Sequence, residues 1–318
     1  MPVVAVILAL LSSMLWGIAD FAGGTASRRL SALVVVTASQ AVGLAAVAAV
    51  AVITGQWDAA LGYLPWALGA GLAGATGLLA YYRALAVGTM GVVSPIAALS
   101  VIIPVVVGLA GGHWPSAVVG AGIVLAVIGV VAAGGPERTA GRSLRPVLLA
   151  SFSAVCFGAT LLFIARGAEH SPLMTMVAMR VASVAPLAVI CLALRGRRDR
   201  PGDVAGGQVH RDGISGAGDE PHNGEGHRVA VGAAVAAPSA TRTRLWVVVA
   251  GLFDVSANLV FALASTRGAL AIVAILGSLY PAVTVLLARV LHHERLTRLQ
   301  QGGVLLALIG VALIAGWS

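Results

Sequence analysis

The stretch GVVSPIAALSVIIPVVVGL (residues 91–109) is answered 177 positions later by GALAIVAILGSLYPAVTVL (residues 268–286). Gly91, Ala97, Leu99, Pro104, Val106 and Leu109 pair with Gly268, Ala274, Leu276, Pro281, Val283 and Leu286, so one apolar segment occurs twice with its proline in register. A second block behaves alike. Gly122, Leu125, Ala126, Ile128, Gly129 and Val130 return 181 positions on as Gly303, Leu306, Ala307, Ile309, Gly310 and Val311, the extra residues falling around His292 to Arg295. Nearer the start, Ala9, Ser12, Trp16 and Gly17 match Ala150, Ser153, Phe157 and Gly158 at a shift of 141. The two halves therefore differ mainly by one long insertion. Five spans in each half would turn the second copy upside down in a membrane, and inverted repeats are the architecture of secondary transporters, with a site at the repeat interface.

Composition agrees. The 318 residues are 59% hydrophobic and 10% charged, with mean hydropathy +0.97, which leaves no soluble core to compete with a membrane reading. A spanning helix needs about 20 mostly apolar residues. Ten such stretches read at 3–24, 31–54, 62–83, 91–111, 116–134, 146–167, 171–194, 245–266, 269–290 and 300–317. The expected fold is an all-α integral membrane protein of ten transmembrane helices. Its two inverted five-helix repeats occupy 1–134 and 146–318, with a loop over 135–145 between them. The segment 195–243, rich in Gly, Asp, Arg and Pro, reads as a disordered loop. His210, His222 and His227 lie in it without the spacing of a metal site. Met1 to Gly24 lacks the basic start of a signal peptide and reads as a retained first helix.

The net charge of +8 comes without an aromatic-interleaved basic groove, so nucleic acid is not an expected partner. The charge serves orientation instead. All 20 basic residues are arginine; 17 fall on one side of the ten spans, Arg166 and Arg267 on the other, and Arg180 within a span. Without the long loop the ratio is still 9 to 2. The positive-inside rule makes the arginine-rich side cytoplasmic and both termini external, in a multi-pass protein of the cell membrane. Cys156 and Cys191 sit in apolar stretches as small hydrophobes.

Charged groups near a bilayer centre cost about 2.5–3.5 kcal/mol on insertion scales and so mark candidate function. Arg180 and Asp254 lie mid-span in consecutive helices. One reading is a structural ion pair. The other is a site in which the Arg180 fork takes an anionic group while Asp254 exchanges a proton or a cation. Gln40 aligns with Arg180 at a shift of 140, so both halves present a polar group there. Asn258, one turn beyond Asp254, aligns with Tyr81 at the 177 shift, and Asp254 itself with Gly77. Asp20 shares a helix face with Trp16 and Ser13. It reads as an interfacial acid paired with Arg28 or Arg29, or alternatively as a proton carrier ranked behind Asp254. Trp16 and Tyr280 complete the cavity candidates. Pro95, Pro104 and Pro281 each remove a backbone donor and imply paired helix bends. Gly122 and Ala126, with Gly303 and Ala307, form small-residue packing faces on the fifth and tenth helices, which could also hold a homodimer together.

No HExxH, GxSxG, Walker or glycine-rich phosphate loop is present, so enzyme chemistry, ATP drive, cofactors and metals are not expected. Leu15-Trp16-Gly17, Tyr81-Tyr82-Arg83-Ala84-Leu85 leading into Gly91 to Pro104, and His293-Glu294-Arg295-Leu296 before Gly302 to Gly316 resemble the drug/metabolite transporter superfamily, specifically its EamA-type permeases. The resemblance covers nearly the whole chain. It implies a ten-helix bundle whose cavity is lined by helices 1, 3, 4, 6, 8 and 9, and a cargo drawn from amino acids, nucleotides, sugars or toxic organic compounds, often moved outward. The family tends to keep both termini in the cytoplasm, the reverse of the arginine count. The reading is a secondary transporter of a small molecule working by alternating access, with proton-coupled export as one form. The rival class is a membrane receptor or scaffold that acts through the 195–243 loop.

Overall fold

The computed structural model describes residues 2–57, 60–110, 116–133, 145–198, 240–292 and 298–317. Among these the chain is all helix, without a strand. Helices α1 (Val3–Ser27), α2 (Ala32–Thr54) and α3 (Leu64–Val87, entered through a 3-10 turn at Leu61–Tyr63) come first. Then follow α4 (Met90–Ala98) and α5 (Ile102–Ala110), joined by a 3-10 turn at Leu99–Val101, and α6 (Ala117–Ala133). After them come α7 (Arg145–Ala168), α8 (Pro172–Arg198), α9 (Ala240–Ser265), α10 (Leu270–Gly277), α11 (Tyr280–Leu291) and α12 (Arg298–Trp317). Eight segments are long and apolar enough to cross a membrane, counting α4–α5 and α10–α11 as one each; α6 is a shorter apolar helix. Arg195–Arg198 prolong α8 and Ala240–Thr243 open α9, so the expected loop is shorter at both ends, and the rest of it lies outside the described residues. Helices outrun their apolar stretches because a polar turn at a membrane surface still closes its backbone hydrogen bonds.

Local chemistry sets the boundaries. Ser31 precedes α2 and its hydroxyl accepts from the Val34 N–H at 3.4 Å. Ser171, 140 positions later, accepts from the Met174 N–H at 3.3 Å and is followed by Pro172 in the first turn, where a missing donor costs nothing. Gly55 ends α2 in the left-handed conformation, φ 65°. The two broken spans part just ahead of Pro104 and Pro281, whose rings cannot donate to the preceding turn.

Lipid provides no hydrophobic drive between helices, so association depends on close van der Waals contact through small residues. The interior is accordingly rich in alanine and glycine, while Val3, Ile7, Ile53, Leu148, Val189 and Leu192 point outward, each more than half exposed. α1 packs on α9, α10 and α11, and α7 packs on α3, α4 and α5. α2 lies against α8 and α9, and α3 against α8. α5 touches α10, α4 touches α11, and α6 pairs with α12, where Gly122, Gly129, Gly303 and Gly310 are buried. Two of the close crossings are at Gly17 and Gly158. A Cβ on Gly17 would fall 2.4 Å from the Val283 Cβ and 2.8 Å from the Tyr280 carbonyl oxygen. One on Gly158 would fall 2.6 Å from both the Ser100 carbonyl oxygen and the Ile103 side chain.

Candidate functional site

Helices α1, α2, α3, α7, α8 and α9, with the breaks in the α4–α5 and α10–α11 spans, line a cavity of about 70 Å³. Trp16, Gln40, Arg180, Asp254, Asn258 and Tyr280 all line it, and so does Asp20. Tyr81 stands one shell behind, donating its hydroxyl to Asp20 Oδ2 at 3.1 Å and sharing a 2.7 Å hydrogen bond with Ser94 Oγ. Asp20 is buried and held by Tyr81 rather than paired with Arg28 or Arg29 at the surface. It lies far enough inside α1 for α3 and α4 to cover it, a tertiary effect that helical rise from the end of the span does not reveal.

Arg180 is the largest fully buried side chain. Its Nη1 donates to Asp254 Oδ2 at 2.8 Å and also to Gln40 Oε1. Gln40 returns its amide hydrogen to the same Asp254 oxygen at 3.2 Å and accepts from the Ser183 hydroxyl at 3.1 Å. Asn258 Nδ2 donates to Asp254 Oδ1 at 3.0 Å and to the Asp254 carbonyl at 2.6 Å. α2, α8 and α9 are thus tied together by one ion pair and its amides. The pair does not use up the guanidinium. Among the described residues, Arg180 Nε and Nη2 are buried with no hydrogen-bond partner, and so is the Tyr280 hydroxyl. Each buried orphan costs about 1–3 kcal/mol, so three in one neighbourhood mark a place where an acceptor would be gained.

The opposite wall is aromatic. Trp16 packs on Phe261 at 5.4 Å and edge-on to Tyr280 at 6.5 Å, and Phe157 meets Tyr81 edge-on at 5.6 Å. Phe157, Thr160, Ser100 and Ser278 line the cavity although sequence reasoning did not select them. Phe157 had a signal, since it is the repeat partner of Trp16. Ser94 and Ser183 had none, because a serine inside an apolar helix usually bonds its own backbone. Pro95, Pro104 and Pro281 do not line the cavity; Pro95 sits within α4, and the other two follow the breaks. Cys156 and Cys191 are free thiols.

The model of the EamA-like transporter family matches residues 229–316, which span α9 to α12. That match puts this stretch in the EamA-like family, part of the drug/metabolite transporter superfamily, as the sequence motifs implied. Its members are transporters rather than enzymes. A protein crystal structure 17% identical in sequence superposes with a TM-score of 0.66, covering 97% of this chain and 95% of its own, a likeness of fold alone. No curated protein matches the chain.

Proposed function

We propose that the chain is a secondary transporter that moves a small molecule bearing an anionic or strongly accepting group through the cavity around Arg180. The observation that carries this reading is the pair of unused Arg180 nitrogens in a residue that lines the same cavity as Tyr280, whose hydroxyl is also unpartnered among the described residues. Nε and Nη2 lie on one edge of the guanidinium, the edge that grips a carboxylate or phosphate with two parallel hydrogen bonds. A cavity of about 70 Å³ is below the 300–1,000 Å³ usual for ligand sites, so the conformation described is a contracted one and cargo binding requires expansion.

Alternating access needs two related halves, and the packing supports them. Exchanging α1 with α7, α2 with α8, α3 with α9, α4–α5 with α10–α11, and α6 with α12 turns the packing of α1 on α9 into that of α7 on α3. It turns α2 on α9 into α8 on α3, and α1 on α10–α11 into α7 on α4–α5. The close crossings exchange as well, since Gly17 and Gly158 are 141 positions apart and meet equivalent parts of the broken spans. In this reading residues 1–134 and 146–318 are the two halves, α6 and α12 are the fifth and tenth crossings, and the breaks before Pro104 and Pro281 are the moving elements.

If export is driven by protons, Asp20 is the better exchange site, ahead of Asp254. Asp254 takes hydrogen bonds from Arg180, Gln40 and Asn258, so protonating it would strand a buried guanidinium. Asp20 has a single hydroxyl donor and, among the described residues, no cation, so a proton can come and go without breaking an ion pair. Comparing the metabolites of cells with and without the gene nominates the cargo. Proteoliposome flux of each nominee, with and without a pH gradient, tests the reading; a purified chain that moves none of them overturns it.

A further inference from the structure

Helices α2 and α8 correspond at a shift of 140, and they answer each other at the charged centre. Gln40 matches Arg180, and three residues further on Gly43 matches Ser183. The Ser183 hydroxyl crosses from α8 to α2, where Gln40 Oε1 accepts from it at 3.1 Å, and it also lies 3.0 Å from the Arg180 carbonyl of its own helix. The reciprocal contact, from α2 to Arg180, is missing because position 43 carries no side chain.

That gap falls where the guanidinium lacks a partner. A Cβ on Gly43 would lie 3.6 Å from Arg180 Nε, one of its two nitrogens buried without a hydrogen-bond partner among the described residues. A hydroxyl one bond beyond that Cβ would reach Nε. It would accept the Nε hydrogen on a lone pair and send its own hydrogen to the Gln40 carbonyl, as Ser183 can to that of Arg180. One half of the chain therefore satisfies its central polar residue from within, and the other withholds the acceptor. Packing alone does not demand this glycine. The same Cβ would meet the Gly251 carbonyl oxygen at 3.2 Å and the Val255 Cβ at 3.3 Å, contacts that a shift of a few tenths of an ångström relieves.

We infer that Gly43 is a specificity-determining residue of the central site: by giving Arg180 Nε no internal acceptor, it reserves the Nε and Nη2 edge for a two-oxygen anion such as a carboxylate. The inference rests on the transport function proposed for the Arg180 cavity and narrows it to cargo that engages Nε as well as Nη2.

The test compares the full chain with Gly43→Ser and Gly43→Ala in detergent, by thermal unfolding and by titration with acetate against matched chloride. Alanine and serine bring the same Cβ crowding, so the difference between them reports the hydroxyl; Val255→Ala added to both relieves the crowding should either fold poorly. Gly43→Ser should melt about 4–8 °C above Gly43→Ala, against serine's lower helix propensity, and bind acetate roughly tenfold more weakly. Equal melting temperatures would mean that the hydroxyl does not meet Nε, and overturn the inference whatever the cargo. Higher stability with undiminished acetate binding would overturn it as well, while leaving Arg180 Nη2 as the recognition group. Acetate binding that persists in Arg180→Met/Asp254→Leu would instead overturn the role of Arg180 itself, and this inference with it.

Discussion

Removing the charges of Arg180 and Asp254 singly and together separates a structural pair from a working one. The Arg180 side chain is 1% exposed and Asp254 15%. Breaking a buried pair costs about 3–5 kcal/mol, because the surviving charge is left uncompensated. The structure assigns the two ends of that range. Asp254→Asn strands a guanidinium that water cannot reach and belongs near 5 kcal/mol; at roughly 2–4 °C per kcal/mol, Tm falls by roughly 10–20 °C. Arg180→Met leaves a carboxylate that keeps donors from Gln40 and Asn258 and some contact with water, so its cost lies nearer 3 kcal/mol. The double variant Arg180→Met/Asp254→Leu removes both charges and should recover to within about 1–2 kcal/mol of the parent. Thermal unfolding in detergent and proteoliposome flux are measured on the same preparations. Recovered stability with absent flux is the expected result. Flux retained by the double variant would refute the role of Arg180 in recognition, and single variants within about 1 kcal/mol of the parent would refute the coupled pair.

Asp20→Asn should leave cargo exchange intact but remove its response to an imposed pH gradient; gradient-driven accumulation that survives in this variant sinks the assignment of Asp20. Gly17→Ala and Gly158→Ala should each destabilise by about 1–3 kcal/mol through overpacking against backbone, read as lower Tm; unchanged Tm in both would mean the crossings are looser than described. Deleting residues 202–237 should leave flux unchanged, whereas loss of activity at equal expression favours the scaffold reading. A reporter fused after Ser318 and active only in the cytoplasm would overturn the external termini drawn from the arginine count.

Much of the architecture was legible because hydropathy acts locally. The span limits read from apolar runs fall within a few residues of the helix ends, and Pro104 and Pro281 mark where the broken spans part, while Pro95 lies inside α4 without breaking it. The ion pair was legible because two mid-span charges have few other places to go. Its setting was not. The hydrogen bond from Tyr81 to Asp20 joins residues 61 positions apart, and no periodicity in either helix encodes it. The unused face of Arg180 was equally hidden, since sequence records a donor but not how many of its hydrogens find acceptors. A second cavity, of about 410 Å³, takes Arg28 and Arg29 from the end of α1 and Arg242 from the first turn of α9, and in sequence each served only as a count toward membrane orientation.

The glycine at position 17 has a mechanical consequence. Where Gly17 of α1 lies directly against Val283 and the Tyr280 carbonyl of α11, the contact can act as a fulcrum, fixed while the rest of the helix swings. Ser27 is about 15 Å from it and Val3 about 21 Å in the other direction, by helical rise. A tilt of about 10° would carry the first through about 3 Å and the second through about 4 Å in the opposite sense. Gly158 provides the matching fulcrum on α7, so one small rocking motion would narrow one end of the bundle as it widens the other.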